Sequence, residues 1–315
     1  MSRPAVEIGN YEAAYDFYAD YQPSMAAARV GHALMGGLYR VNLDFAEGAR
    51  SEIADLRDEG VHFIISSNHI SDRDQFTLGA FPTEDKVLEF LIGHTVIPAK
   101  ETIYTATASL PVVGPLVGPL VRRGADIMGA VPAFRLKDQF GDTPREDRDP
   151  ESAALQKASS AALLSTMVAR VNRGHEATFE EGQRNLVYPR VVQDPKRGHV
   201  DLMNHPDLDP SITVATVPIG IYYPELIKDG KLRFRHGHPS VYMGRPITER
   251  IDTLEKLAVI LKPKMQENAD VAIEMVRERD GEDALLPEEE LREVMAKMAE
   301  VRKRKKLERE AARAA

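Results

Sequence analysis

His69 and Asp74 stand five positions apart in "SSNHISDRDQF", residues 66–76, where the apolar run "VHFIISS" (61–67) ends. Charged groups at the end of a buried-looking strand are costly unless solvent, mutual pairing or chemistry uses them. A strand ending at Ser67, then a turn and the first turn of a helix, brings both side chains to one side. The Asp74 carboxylate then holds one imidazole nitrogen, and the other is left to take a proton from an alcohol. Taken alone, the spacing is weak, and a lone histidine near a strand end is usually a satisfied polar group.

Three further stretches carry candidate chemistry. In "TFEEGQRN" (178–185) a strand runs into Glu181 and Gly182 and then Arg184, a tight turn presenting a charged fork. Arg184 can bind a phosphate bidentately, and Glu181 can orient a hydroxyl or the arginine itself. The plain alternative is a strand-end turn with surface charges. In "GAVPAFR" (129–135) Arg135 ends an apolar run. In "VPIGIYY" (217–223) Pro218 sits inside an apolar strand, where it lacks a ladder donor and so marks an edge or a bulge.

The elements that must position these groups follow from periodicity and breakers. Residues 11–45 read as helical, and the apolar face of "MAAARVGHALMGGLYRVNL" suits either a helix packed on the core or one lying on a membrane surface. "VHFIISS", "KVLEFLIG" from Lys86, "EATF" and "SITVATVPIGIYY" (211–223) read as strands, and "KLRFRHGHPSVYMGRPI" as one or two more. Between them lie a helix capped by Ser152 and ended by Gly174, a helix interrupted at Pro263, and a last helix begun by Pro287. Strands alternating with helices imply an α/β fold, a mixed and largely parallel sheet covered on both faces. The expected organisation is an N-terminal helical segment (1–45), an α/β domain (46–280) and a charged C-terminal helix (281–315).

Composition narrows the class. A net charge of −8 argues against nonspecific nucleic-acid binding. With no cysteine, thiolate catalysis, disulfides and cysteine-ligated zinc are excluded. The acidic N-terminus has no signal-peptide core. Residues 102–121 carry no charge, but Pro111, Pro115 and Pro119 break them as a spanning helix. His236 and His238 flank Gly237 without an evident third ligand, so no metal is expected. The basic run 302–306 is diluted by nearby acids and reads as a solvated helix end, or as a weak attraction to anionic lipid.

In this order the four stretches resemble the glycerol-3-phosphate and 1-acylglycerol-3-phosphate (lysophosphatidate) acyltransferase family. Its blocks N-H-x-x-x-x-D, G-x-I-(F/P)-x-x-R, F-P-E-G-T-R-S and V-P-(V/I) are met by "NHISDRD", "GAVPAFR", "FEEGQRN" and "VPIG". Glu180 replaces the usual Pro, Gln183 and Asn185 replace Thr and Ser, and Val131 replaces Ile. The resemblance implies transfer of a fatty acyl group from acyl-CoA or acyl carrier protein, as co-substrate and without a cofactor, to a glycerophosphate hydroxyl. It implies His69 as base, Asp74 as its orienting partner, Arg135 and Arg184 on the acceptor phosphate, and Glu181, Gly182 and Pro218 at the substrate site. A thiol leaving group, with a pKa of roughly 8.5 on the cysteine scale, departs with little help. No G-x-S-x-G elbow is present, which favours direct transfer. Residues 105–121 are the candidate lining for the acyl chain. The expected location is cytoplasmic and peripheral, on the inner face of the cell membrane. A soluble glycerol-3-phosphate enzyme, a thioester hydrolase and a noncatalytic lipid-binding protein are the alternatives.

Overall fold

The computed structural model describes residues 3–101, 104, 114–135, 140, 148–182, 184–185 and 187–314. Nine strands are described: β1 (Asn42–Phe45), β2 (His62–Ser67), β3 (Thr95–Lys100), β4 (Ala130–Ala133), β5 (His175–Phe179), β6 (Val214–Tyr222), β7 (Glu225–Lys228), β8 (Lys231–Phe234) and β9 (Ser240–Met243). The main sheet has the order β1-β9-β6-β2-β5-β3-β4, and β7 and β8 form a separate antiparallel hairpin. Strands β6, β2, β5, β3 and β4 run parallel; β9 is antiparallel to β6, and β1 is parallel to β9. This is the α/β fold expected from alternating strands and helices, and it brings the C-terminal ends of five strands to one edge.

Helices cover both faces. They are α1 (Tyr11–Asp20), α2 (Met25–Tyr39), α3 (Ala49–Asp58), α4 (Asp74–Ala80), α5 (Gly114–Ile127), α6 (Pro150–Val171), α7 (Gly198–Met203), α8 (Lys262–Asp280) and α9 (Glu288–Ala314). Strand β2 shows why the sequence is apolar throughout. Phe63 and Ile65 enter one core with Leu78, Phe81 and Leu88, while Ile64 enters another with Tyr15, Tyr18, Met167 and Val171. On β6, α8 packs close enough that a side chain at Gly220 would collide with the backbone of Asn268. Glycine there sets the distance between helix and sheet.

Four local expectations are corrected. Residues 42–45 are a strand paired with β9, so the sheet begins inside the segment expected to be helical to 45. "KVLEFLIG" contains a 3-10 helix, Lys86–Leu91, because Asp85 caps it at the Val87 amide and Val87, Leu88 and Leu91 share one buried side; the strand lies further on, at β3. Helix α6 starts at Pro150 with Asp149, not Ser152, as its cap; the carboxylate accepts from the Ser152 amide. Pro263 does not interrupt the chain's helix. A π-turn, Leu257–Leu261, precedes it and leaves Pro263 in the first turn of α8, where its missing N–H costs little.

Among the described residues no helix is long and apolar enough to cross a membrane. Residues 105–113, expected to line an acyl slot, lie outside the described residues. The described end of that run, Leu120 and Val121 in α5, is exposed.

Candidate active site

Strand β2 ends at Ser67 and α4 begins at Asp74, so the six residues between turn back over the sheet edge. Asn68 fastens the exit. Its side-chain oxygen accepts from the Ile221 amide at 2.7 Å and its Nδ2 donates to the Ile221 carbonyl at 3.0 Å. A side chain thus continues the β2–β6 ladder where backbone pairing stops.

Asp74 is fully buried, and donors surround it. Oδ2 accepts from His69 Nδ1 at 2.9 Å and from the Ile70 and Ser71 amides at 2.7 and 2.8 Å. Oδ1 accepts from the Tyr223 hydroxyl at 2.8 Å, and that oxygen in turn takes the Thr77 hydroxyl, also 2.8 Å away. Four donors offset the cost of burying the carboxylate. Because a carboxylate only accepts, the His69 proton is assigned to Nδ1, and Nε2 carries the free lone pair. The pairing expected from the five-residue spacing is therefore present.

The turn after β5 supports His69 from the other side. Glu181 Oε1 accepts from the His69 backbone amide at 3.0 Å, and Phe179 stacks on the imidazole with ring centroids 4.2 Å apart. Among the described residues Glu181 Oε2 is buried with no hydrogen-bond partner, and burial pushes this carboxyl upward despite the His69 and Gln193 backbone groups. Gly182 adopts φ +63°, and a Cβ there would lie 2.9 Å from Lys196 Cγ. Glu181 and Gly182 thus shape the loop that carries His69, and Glu181 does not pair with Arg184. Arg184 is instead 3.6 Å from the exposed Asp72. Gln183 lies outside the described residues.

The departures from the acyltransferase pattern have structural work. Asn185 Oδ1 accepts from the Val187 and Tyr188 amides, both at 3.0 Å, and its Nδ2 donates to the Tyr188 carbonyl at 2.7 Å, which folds the following loop. Glu180 points to the opposite face of the sheet. Its Oε1 accepts from Ser66 Oγ at 2.6 Å and from His199 Nδ1 at 3.0 Å. Burial opposes a charge on His199, but Glu180 and then Glu176 outweigh it, and its pKa is raised. Glu176 is pushed up to about 8, first by burial and then by Glu180.

The remaining two assigned residues are not brought to His69. Arg135 follows β4, three strands from β2 along the same edge, which is roughly 14 Å at normal strand spacing. Pro218 pairs in register with Ser66, well before the strand tip, and packs on Gly244. It does not mark an edge strand. Thr216 donates to Ile247, so position 218 faces the same side, in the gap before the β6–β9 ladder begins at Ile219. The missing donor falls where pairing switches, and the Pro218 carbonyl is used by Gly244 and Asn268.

Two spaces of opposite chemistry are bordered by neighbours in sequence of the pair, and neither is lined by His69 or Asp74 itself. Beyond Gln75 and Phe76 lies an apolar cavity of about 700 Å³, walled by α2, α4 and α5 through Val30, Leu34, Phe76, Leu120, Ile127 and Met128. On the other side, Ser71 and Asp72 border a cleft of about 140 Å³ with Arg184, Arg233, Phe234 and His236. His236 sits half-buried in the turn after β8, where its Nε2 lies 2.6 Å from Ser71 Oγ and its ring packs on Tyr223. No spacing signal marks Tyr223 or His236, which lie 149 and 165 residues from their partners.

A scan against protein-family models and a search of curated proteins found no match to this chain.

Proposed function

We propose that the chain is an O-acyltransferase that moves a fatty acyl group from a thioester, acyl-CoA or acyl carrier protein, to a hydroxyl of a phosphate-bearing glycerolipid precursor. The observation that carries this reading is the His69–Asp74 pair, whose neighbours in sequence border an apolar cavity at Gln75 and Phe76 and an arginine-lined cleft at Ser71 and Asp72. An acyl chain suits the first and a phosphate the second, and on this reading the two reacting groups are brought together at the imidazole.

His69 Nε2 takes the proton of the acceptor hydroxyl as its oxygen attacks the thioester carbonyl. Asp74 stabilises the imidazolium that forms and holds its orientation. The tetrahedral intermediate then expels the thiolate, which receives the same proton from His69. An oxygen–carbon bond forms, a sulfur–carbon bond breaks, and the proton ends on sulfur.

The favoured acceptor is 1-acylglycerol-3-phosphate. Val30, Leu34 and Leu38 form an exposed apolar stripe along α2, and Leu120 of α5 is exposed beside the same cavity. An apolar rim at the cavity suits a peripheral enzyme that lifts its acceptor from the inner face of the cell membrane. A soluble glycerol-3-phosphate enzyme has no need of it. The test is thioester consumption with a panel of acceptors and without any. Release of thiol that depends on acceptor, with matching ester product, supports transfer; equal release without acceptor makes the chain a hydrolase.

A further inference from the structure

His236 touches both a serine and a tyrosine that hold the Asp74 carboxylate. It belongs to the β7–β8 hairpin, which lies outside the main sheet. Its Nε2 is 2.6 Å from Ser71 Oγ, and its ring packs edge-on against Tyr223, with centroids 5.2 Å apart. Ser71 donates to Asp74 Oδ2 through its backbone amide and Tyr223 to Oδ1 through its hydroxyl, both at 2.8 Å. One side chain from a separate hairpin thus meets a donor to each carboxylate oxygen.

The direction of the Ser71 bond follows from the chemistry of its partners. Burial, and then the charge of Arg73, keep the His236 pKa below its ordinary value despite Asp72 and Asp74. The ring is therefore neutral near pH 7, and Nε2 accepts, with the ring proton assigned to Nδ1. Ser71 Oγ already accepts from the Arg73 amide at 3.2 Å, and Asp72 Oδ1, the other acceptor in reach of its proton, is 3.4 Å away. The proton goes to the nearer His236. The Ser71 carbonyl in turn receives the Asp74 amide at 3.4 Å. Every polar atom of Ser71 is used in the turn between β2 and α4, and His236 ties that turn to the hairpin. Without His236 the hydroxyl is free to rotate toward Asp72, whose side chain is 75% exposed and anchors nothing.

We propose that His236 is a positioning residue for the His69–Asp74 pair: by accepting the Ser71 hydroxyl and packing on Tyr223 it fixes the Asp74 carboxylate, and with it the direction of His69 Nε2. Its effect on turnover rests on the acyltransferase reading above; the brace itself does not.

The test has a spectroscopic arm and a kinetic arm, both on the full chain. By NMR of isotope-labelled protein, the His69 Nδ1 proton is identified through its loss in His69→Gln, and its exchange with water is measured. Exchange should speed up by about tenfold in His236→Ala and in Ser71→Ala, the fold-change that one hydrogen bond supplies. His236→Gln offers an amide oxygen to the Ser71 hydroxyl and should restore much of the parent value. Unchanged exchange in both alanine variants overturns the brace, and so does a His236→Gln no better than His236→Ala. If His236→Ala melts early, Ser71→Ala carries the same measurement. In the kinetic arm, kcat should fall by about tenfold in either alanine variant while the KM of each substrate stays within about twofold. The double variant should be no slower than the singles, because both remove the same bond. Losses that multiply overturn the proposal, and a raised acceptor KM in His236→Ala would place the ring on substrate and overturn it as well. A parent that consumes no thioester fails the acyltransferase reading, and proton exchange alone then decides the brace.

Discussion

The Tyr223 hydroxyl donates to Oδ1 of Asp74 at 2.8 Å, joining the end of β6 to the first residue of α4. Both residues are fully buried. The phenol therefore fixes the carboxylate that fixes the imidazole. Tyr223→Phe removes one hydrogen bond to a buried charge and orphans the Thr77 hydroxyl. It should cost about 1.5–3 kcal/mol of stability, read from urea unfolding. Turnover should fall while the KM of each substrate changes little. Unchanged turnover would make Tyr223 a purely structural residue.

His69→Ala should lower turnover by about 10²–10⁴-fold with little change in unfolding midpoint. Asp74→Asn should lower both. The amide presents an N–H to some of the four donors that now surround the carboxylate, so activity loss and destabilisation come together. Steady-state kinetics and urea melts on the two variants distinguish a catalytic base from its anchor. Near-normal transfer by His69→Ala would sink the mechanism.

The contribution of Glu176 to stability should fall as pH rises from about 5 to about 8. Glu176 is raised in the fold from 4.5 to about 8, so across that window the folded state holds a proton that the unfolded state has lost. His199 is also raised, and its contribution is likewise present below its unfolded value and lost as pH rises through its folded one. Glu176→Gln should flatten the slope of unfolding free energy against pH. A slope identical to that of the parent would show that this buried cluster does not govern it.

The α2 stripe should bind vesicles. Leu34 and Leu38 are 62% and 64% exposed, so changing both to Glu should leave the melting temperature nearly unchanged and reduce flotation with anionic vesicles. The electrostatic share of parent binding should weaken with salt. Retention after carbonate and high-salt washing would require an integral attachment; flotation equal to that of the parent would acquit the stripe.

What was legible in the sequence was local. The strand-to-helix turn that pairs His69 with Asp74 spans five residues, and an apolar run followed by polar residues marks it. The acidic-to-basic course of α9 and the long apolar β6 were also readable. Long-range joins were not. Nothing in "IYYP" distinguishes Tyr223, which meets Asp74, from its neighbour Tyr222, because that depends on the register set by Asn68 and Ile221. "KVLEFLIG" fits a strand by composition but a helical turn by its cap at Asp85. Glu180 looked like a lost proline of a family block, yet across the sheet it anchors Ser66 and His199.

Met128, part of the apolar cavity's wall, lies against two glycines, Gly31 and Gly79. A Cβ on Gly31 would lie 2.9 Å from Ile127 Cγ2 and 3.3 Å from Met128 Sδ, and one on Gly79 would collide with the Met128 methyl. Met128 is the flexible partner in both contacts and lines the cavity. The space beside Met128 is therefore kept by the absence of a side chain at Gly31 and Gly79. On the acyltransferase reading this is a ruler with a movable stop: a methyl at position 31 presses the thioether into the space and favours shorter acyl chains, and trimming Met128 to Ala opens it to longer ones.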